Sequence, residues 1–231
     1  IDITMDIYDL LAEPWKIALR NAVEKAGGDR MADVTFAETV KDILDWNGEF
    51  EQNSTAATAI ERWRLKCQNK IDVKAVAEGD GLSESDQDTM LDMLQETLEE
   101  MEKLYGKNRV AWGEAHVVGR GDRYYPYDGA DFGRGPNQTT TLRCVKGREN
   151  PPDSGRYVAR SGTMSAMLMF FHKDGIESHS CIPWGQSVYE DSPHYMDQGR
   201  ELYSKRKMKP VWFKKEDLMN HVTSERTLTI P

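Results

Sequence analysis

The chain has 231 residues, a formal net charge of −9, 39% hydrophobic and 30% charged residues, and a mean hydropathy of −0.69. Its 6 Trp and 11 Met supply material for a substantial core and exclude a disordered tail. Residues 1–105 carry 24 acidic and 11 basic side chains (net −13), leaving 15 acidic and 19 basic (net +4) in 106–231; the one dense basic run, KRKMK at 205–209, forms no stripe with aromatics, so nucleic acid is not an expected partner.

The chain opens IDITMDIYDLL, without a basic start or an apolar block ending in small residues. No signal peptide is expected there, and the missing initiator Met points to a processed product, a trimmed form or a fragment. The stretch PWKIALRNAVEKAGG, residues 14–28, predicts a helix with Pro14 tolerated in its first turn. Thr35-Phe36-Ala37-Glu38 fits a capping box, followed by Phe36, Val40, Ile43 and Leu44 at helical spacing up to Gly48. Ser54 begins another helix, whose Ala56, Ala59, Ile60, Trp63 and Cys67 share one face. Residues 72–84 are expected to be a mobile connection. A further helix from Ser83 or Ser85 carries Met90, Leu94, Leu98, Met101 and Tyr105 on one stripe and stops at Gly106. No run of about twenty apolar residues exists, so no membrane span is expected.

After Gly106 the signals change to strand and turn. Glycines, prolines and tyrosines over 119–138 indicate an ordered loop or short strands. TLRCVK at 141–146 is a strand candidate and RENPPDSG at 148–155 a loop. The runs 157–171 and 176–184 flank His172-Lys173-Asp174-Gly175, and an Asp-Gly pair between apolar runs predicts a hairpin, expected here to be buried. The expected division is a helical section, 1–106, then an antiparallel β-rich section with a C-terminal helix, 107–231, in an α+β fold.

The segment IPWGQSVYEDSPHYMDQ, 182–198, gathers Ser192, His194 and Asp197. A Ser/His/Asp mechanism draws its members from separate loops, and these three are too close in sequence to converge that way. The structural reading is that Ser192 caps a helix, Pro193 takes its first position, and Tyr195, Leu202 and Tyr203 form its apolar face. Asp191, His194 and Asp197 with His179 or Asp174 form the only metal-ligand pattern worth weighing, and no second cluster supports it. His116, alternating with apolar residues in AWGEAHVV, reads as a strand histidine. Cys67, Cys144 and Cys181 show no metal spacing and no disulfide framework. No dinucleotide fingerprint, Walker A pattern or nucleophile elbow occurs.

Four segments together resemble the C-terminal part of the large subunit of the penicillin acylase family, which belongs to the N-terminal nucleophile hydrolases and includes acyl-homoserine lactone acylases. They are ILDWNGEFEQNSTAATAIERW (43–63), WGEAHVV (112–118), GTMSAMLMFFHKDGIESHSCIPWGQS (162–187) and SPHYMDQGRELYSKRKMKPVWF (192–213). The resemblance implies the C-terminal portion of an αββα amidase. In that family a Ser exposed by self-cleavage attacks the amide carbonyl, with its own α-amino group as base and an oxyanion hole of backbone donors and an Asn. Ile1 is not that Ser, so the resemblance puts no catalytic, cofactor-binding or metal residue in this chain; a structural calcium belongs to the parent enzyme. It implies as partners the small subunit, the N-terminal part of the large subunit and a small amide substrate, and a periplasmic or extracellular location. This chain alone is expected to be inactive. The rival expectation is a non-catalytic binding domain in which Tyr124, Tyr125, Tyr127 and Phe132 of loop 121–133 hold a ligand.

Overall fold

In the computed structural model, which describes residues 1–131 and 141–229, the first half is a bundle of helices around two tryptophans. Helix α1 spans Ala12–Ala26, α2 Gly28–Met31, α3 Val34–Asp45, α4 Thr55–Cys67, α5 Val73–Glu78 and α6 Glu84–Tyr105. Trp15 of α1 and Trp63 of α4 meet edge to face with ring centroids 5.1 Å apart, and the Trp63 indole N–H donates to the Met90 carbonyl of α6 at 2.8 Å. That bond removes the penalty of burying a polar N–H and ties the three helices together.

Local chemistry sets the helix ends. The Ser54 and Ser83 side chains each accept a backbone N–H from the first turn of α4 and α6, satisfying donors that a helix start leaves open. Gly106 ends α6 in the left-handed conformation. The start of α3 differs from the expected capping box: its cap is Asp33, whose carboxylate accepts from the Phe36 N–H at 3.0 Å. An anionic acceptor favours the positive end of the helix dipole, so the helix starts before Thr35. Residues 72–84, expected to be a mobile connection, contain α5. Asp72 accepts from the Lys74 and Ala75 N–H groups, and Val76 is buried in the helical core.

The second half begins with one helical turn, α7 at Trp112–Ala115, before β1 at His116–Arg120. Strands β2 (Arg123–Pro126), β3 (Val145–Glu149) and β4 (Tyr157–Gly162) join β1 in a four-stranded sheet of order β2-β1-β4-β3, with β1 and β4 parallel. Strands β5 (Ala166–His172), β6 (Gly175–Cys181) and β7 (Lys209–Val211) form a separate antiparallel sheet of order β5-β6-β7. Short helices α8, Asp197–Glu201, and α9, Lys215–Met219, lie on either side of β7 in sequence. The fold is α+β. No helix among the described residues is long and apolar enough to cross a membrane.

Three strand expectations and one helix expectation need correction. Pairing of the TLRCVK run starts only at Val145, because Arg143 is drawn into the interior: its N–H donates to the Asp6 carbonyl and its guanidinium to the Tyr203 carbonyl. The run 157–171 divides between two sheets at Gly162, whose φ is 99° and where a Cβ would lie 2.0 Å from the Cys144 carbonyl oxygen; only glycine accepts both conditions. The 166–181 hairpin forms in the expected antiparallel sense, His172 opposite Gly175, but its outer part is exposed, Phe171 at 78%. Finally, Ser192-Pro193 opens a turn, and α8 begins only at Asp197.

Candidate functional site

The 182–198 segment is held as scaffold by backbone carbonyls converging on one arginine. The guanidinium of Arg120, from β1, donates to the carbonyls of Ser187 at 2.5 Å and Tyr195 at 2.6 Å, and lies 4.0 Å from the Tyr195 ring centroid. The two arms of the segment pair through Gly185 N–H to Tyr195 O and Ser187 N–H to His194 O. They approach so closely that a Cβ at Gly185 would sit 1.8 Å from the His194 carbonyl oxygen. Ser192 Oγ accepts from the His194 backbone N–H, while the exposed His194 ring meets Asp197 Oδ2 at 2.8 Å. The imidazole and hydroxyl are therefore engaged separately. Of the other weighed metal ligands, His179 pairs with Glu177, and no group of three or more His, Cys, Asp or Glu that could hold a metal occurs among the described residues.

A denser polar cluster lies where the helices meet the first sheet. Glu61, on α4, is 6% exposed and His116, at the start of β1, is 3% exposed. His116 Nδ1 lies 3.1 Å from the Trp112 carbonyl, and its ring stacks on Trp112 (centroids 3.5 Å apart) and on Tyr157 (5.1 Å). The Tyr157 contact follows from strand register, since His116 and Tyr157 are direct partners in the parallel pair β1–β4. Nε2 faces Glu61 Oε1 at 3.7 Å, and Glu61 Oε2 is buried without a hydrogen-bond partner. The two neighbouring arginines are committed elsewhere, and Lys146, which also lines the cavity beside the cluster, is exposed. Arg62 bonds Glu100 and the Tyr105 hydroxyl, and Arg64 forms a fully buried pair with Asp9. Burial pushes the Tyr157 phenol up to about 12. A cavity of about 200 Å³ opens onto this cluster, lined by Glu61, Leu65, Trp112, His116, Val145 and Tyr157 among others.

The sequence marks His116 as a strand histidine and does not single out Glu61. In the fold, α4 buries Glu61 together with its apolar stripe, a placement a charged residue rarely takes unpaired. Two of the described tyrosines of the loop pack against the protein itself. Tyr127 is fully buried in the core of the sheet region, and Tyr124 packs under the Arg156 guanidinium at 4.2 Å. Phe132 lies outside the described residues.

The β5–β6–β7 sheet presents an open apolar face. Opposed residues point to the same side of an antiparallel pair, so the register places Met167, Met169, Phe171 and Ile176 together, continued by Val211 across β6. All four of the first group are exposed. Trp212 and Phe213 follow directly after β7, and with Ile176 and Val211 they line a surface depression of about 460 Å³.

The family model described as Penicillin amidase matches residues 1–220. Among solved structures, a thermostable penicillin G acylase from Alcaligenes faecalis in orthorhombic form aligns over 98% of this chain and 47% of its own, at 17% identity and a TM-score of 0.44. The chain thus spans about half the length of that protein. No curated protein matches the sequence.

Proposed function

Because the chain belongs to the penicillin amidase family, we propose that it is the C-terminal portion of the large subunit of an acylase that hydrolyses a linear amide. The nucleophile is an N-terminal Ser on polypeptide outside this chain. Its hydroxyl adds to the amide carbonyl with its own α-amino group as base, the amine leaves, and water releases the acid from the acyl-enzyme. Acyl-homoserine lactones or other fatty acyl amides are the first substrate class, suggested by Lys209-Pro210 and Phe213 at the end of the matched segment, and penicillin-type amides the second. The first would make the enzyme quorum-quenching, the second a participant in antibiotic metabolism. We assign the assembled enzyme to the periplasm or the cell exterior on the resemblance alone, and treat 1–106 and 107–231 as one continuous piece of the amidase fold. A structural calcium is placed in the parent enzyme, outside this chain, on the resemblance alone.

The observation that carries this reading is the uncovered face of the β5–β6–β7 sheet. Contiguous exposed apolar surface marks a docking site, and the small subunit and the N-terminal part of the large subunit are the partners this family reading supplies. The deciding experiment assays the isolated 231-residue chain against chromogenic acyl amides, then repeats the assay after co-expression with a Ser-led upstream segment from its own reading frame. The expected results are no turnover alone and turnover when reassembled. Turnover by the isolated chain would overturn the proposal.

A further inference from the structure

The Glu61–His116 cluster has a hydrogen-bond imbalance that identifies what it lacks. The Trp112 carbonyl can only accept, so the proton of a neutral His116 sits on Nδ1, which donates to it at 3.1 Å. Nε2 is then an acceptor, and it faces another acceptor, Glu61 Oε1, at 3.7 Å, beyond hydrogen-bond distance. Glu61 Oε2 has no partner at all. Three acceptors therefore converge, two of them on a carboxylate that is 6% exposed. Leaving buried acceptors unmet costs about 1–3 kcal/mol each, more when charged. Stacking on Trp112 and Tyr157 keeps the imidazole from turning away, and both nearby arginines, Arg62 and Arg64, are occupied.

The cavity of about 200 Å³ beside these acceptors is smaller than the roughly 300–1,000 Å³ of a drug-sized ligand site. Its remaining walls are Leu65, Val145 and Gly147 with the charged Asp131 and Lys146. We propose that it binds a small alkylammonium ion, whose three N–H donors meet both Glu61 oxygens and His116 Nε2 while its short alkyl body rests on Leu65 and Val145. Charge-assisted donation to a buried carboxylate is the strong class of hydrogen bond. The binding follows from the geometry of Glu61 and His116 and does not depend on the amide hydrolysis proposed above.

The test titrates the 231-residue chain with isobutylammonium chloride and follows the His116 ring nitrogens by long-range ¹H–¹⁵N NMR, with isobutanol as the neutral match. The expected result is a saturable shift at Nε2 with the Nδ1–H tautomer retained, no shift from isobutanol, and affinity weakened by about tenfold or more in Glu61→Gln. Leu65→Trp, which fills the cavity and keeps the Glu61 carboxylate, should abolish binding and provides a second variant should Glu61→Gln fail to fold. A doubly protonated His116 indifferent to the amine, an equal response to isobutanol, or binding undiminished in Leu65→Trp would each overturn the proposal.

Discussion

The helical bundle and the β5–β6–β7 sheet treat apolar surface in opposite ways. In the bundle, Trp15, Phe36, Trp63, Met90 and Leu94 are all buried, and even the charged Asp9–Arg64 pair is wholly enclosed. In the sheet, Met167, Met169, Phe171 and Ile176 stand on one face in contact with solvent. Both regions are built from sound local elements, so the difference does not lie in helix or strand formation. It lies in whether a second layer is present among the described residues. A helix bundle closes on itself, whereas a sheet with an apolar face needs another layer laid on it.

The sharpest way to break the comparison is inside the bundle. Asp9→Ala removes the carboxylate paired with the buried Arg64 guanidinium, and the expected loss is about 3–5 kcal/mol in denaturant unfolding. Trp63→Ala removes the indole that joins α1, α4 and α6 and should cost a similar ~3–5 kcal/mol, lowering the thermal midpoint of the helical signal. Ser54→Ala leaves one helix-start donor open, for an expected loss of about 1 kcal/mol by the same denaturant assay.

A smaller effect concerns Asp128, which accepts from the Gln52 N–H and faces Arg206. Burial raises its folded pKa above 3.8. The folded state therefore holds the proton more tightly than the unfolded state, and this group's contribution to stability falls as pH rises from the unfolded pKa through the raised folded one. Asp128→Asn should flatten that acid-side slope, read from unfolding curves at several pH values. Smallest for the chain itself is Phe171→Ser, expected to shift stability by less than about 0.5 kcal/mol because the ring is already exposed. Its effect should appear in reassembly, as weaker association with the Ser-led segment by sedimentation. A large stability loss from Phe171→Ser would mean that the face is covered within the chain after all.

Much of the helical half was legible in advance. The spacing of Ala56, Ala59, Ile60, Trp63 and Cys67, the start at Ser54 and the stop at Gly106 are all present as read, and of the two serines weighed for the start of α6 it is Ser83 that caps it. The cap of α3 was misplaced because Asp33 and Thr35 are both good cap residues two positions apart, and local chemistry decided narrowly for the carboxylate. The hairpin at Lys173-Asp174 was legible as a turn, but apolar strands alone do not reveal whether anything covers them. The Glu61–His116 cluster was not legible, since its members come from a helix, a helical turn and two parallel strands that meet only after folding.

By itself the sequence determined where helices start and stop and where the chain reverses, because those choices rest on hydrogen bonds and side-chain spacing within a few residues. Tertiary structure alone decided that Glu61 would face His116 across a cavity and that one face of the β5–β6–β7 sheet would stay open. Burial and polar pairing depend on which distant surfaces come into contact, and no short stretch of chain encodes that.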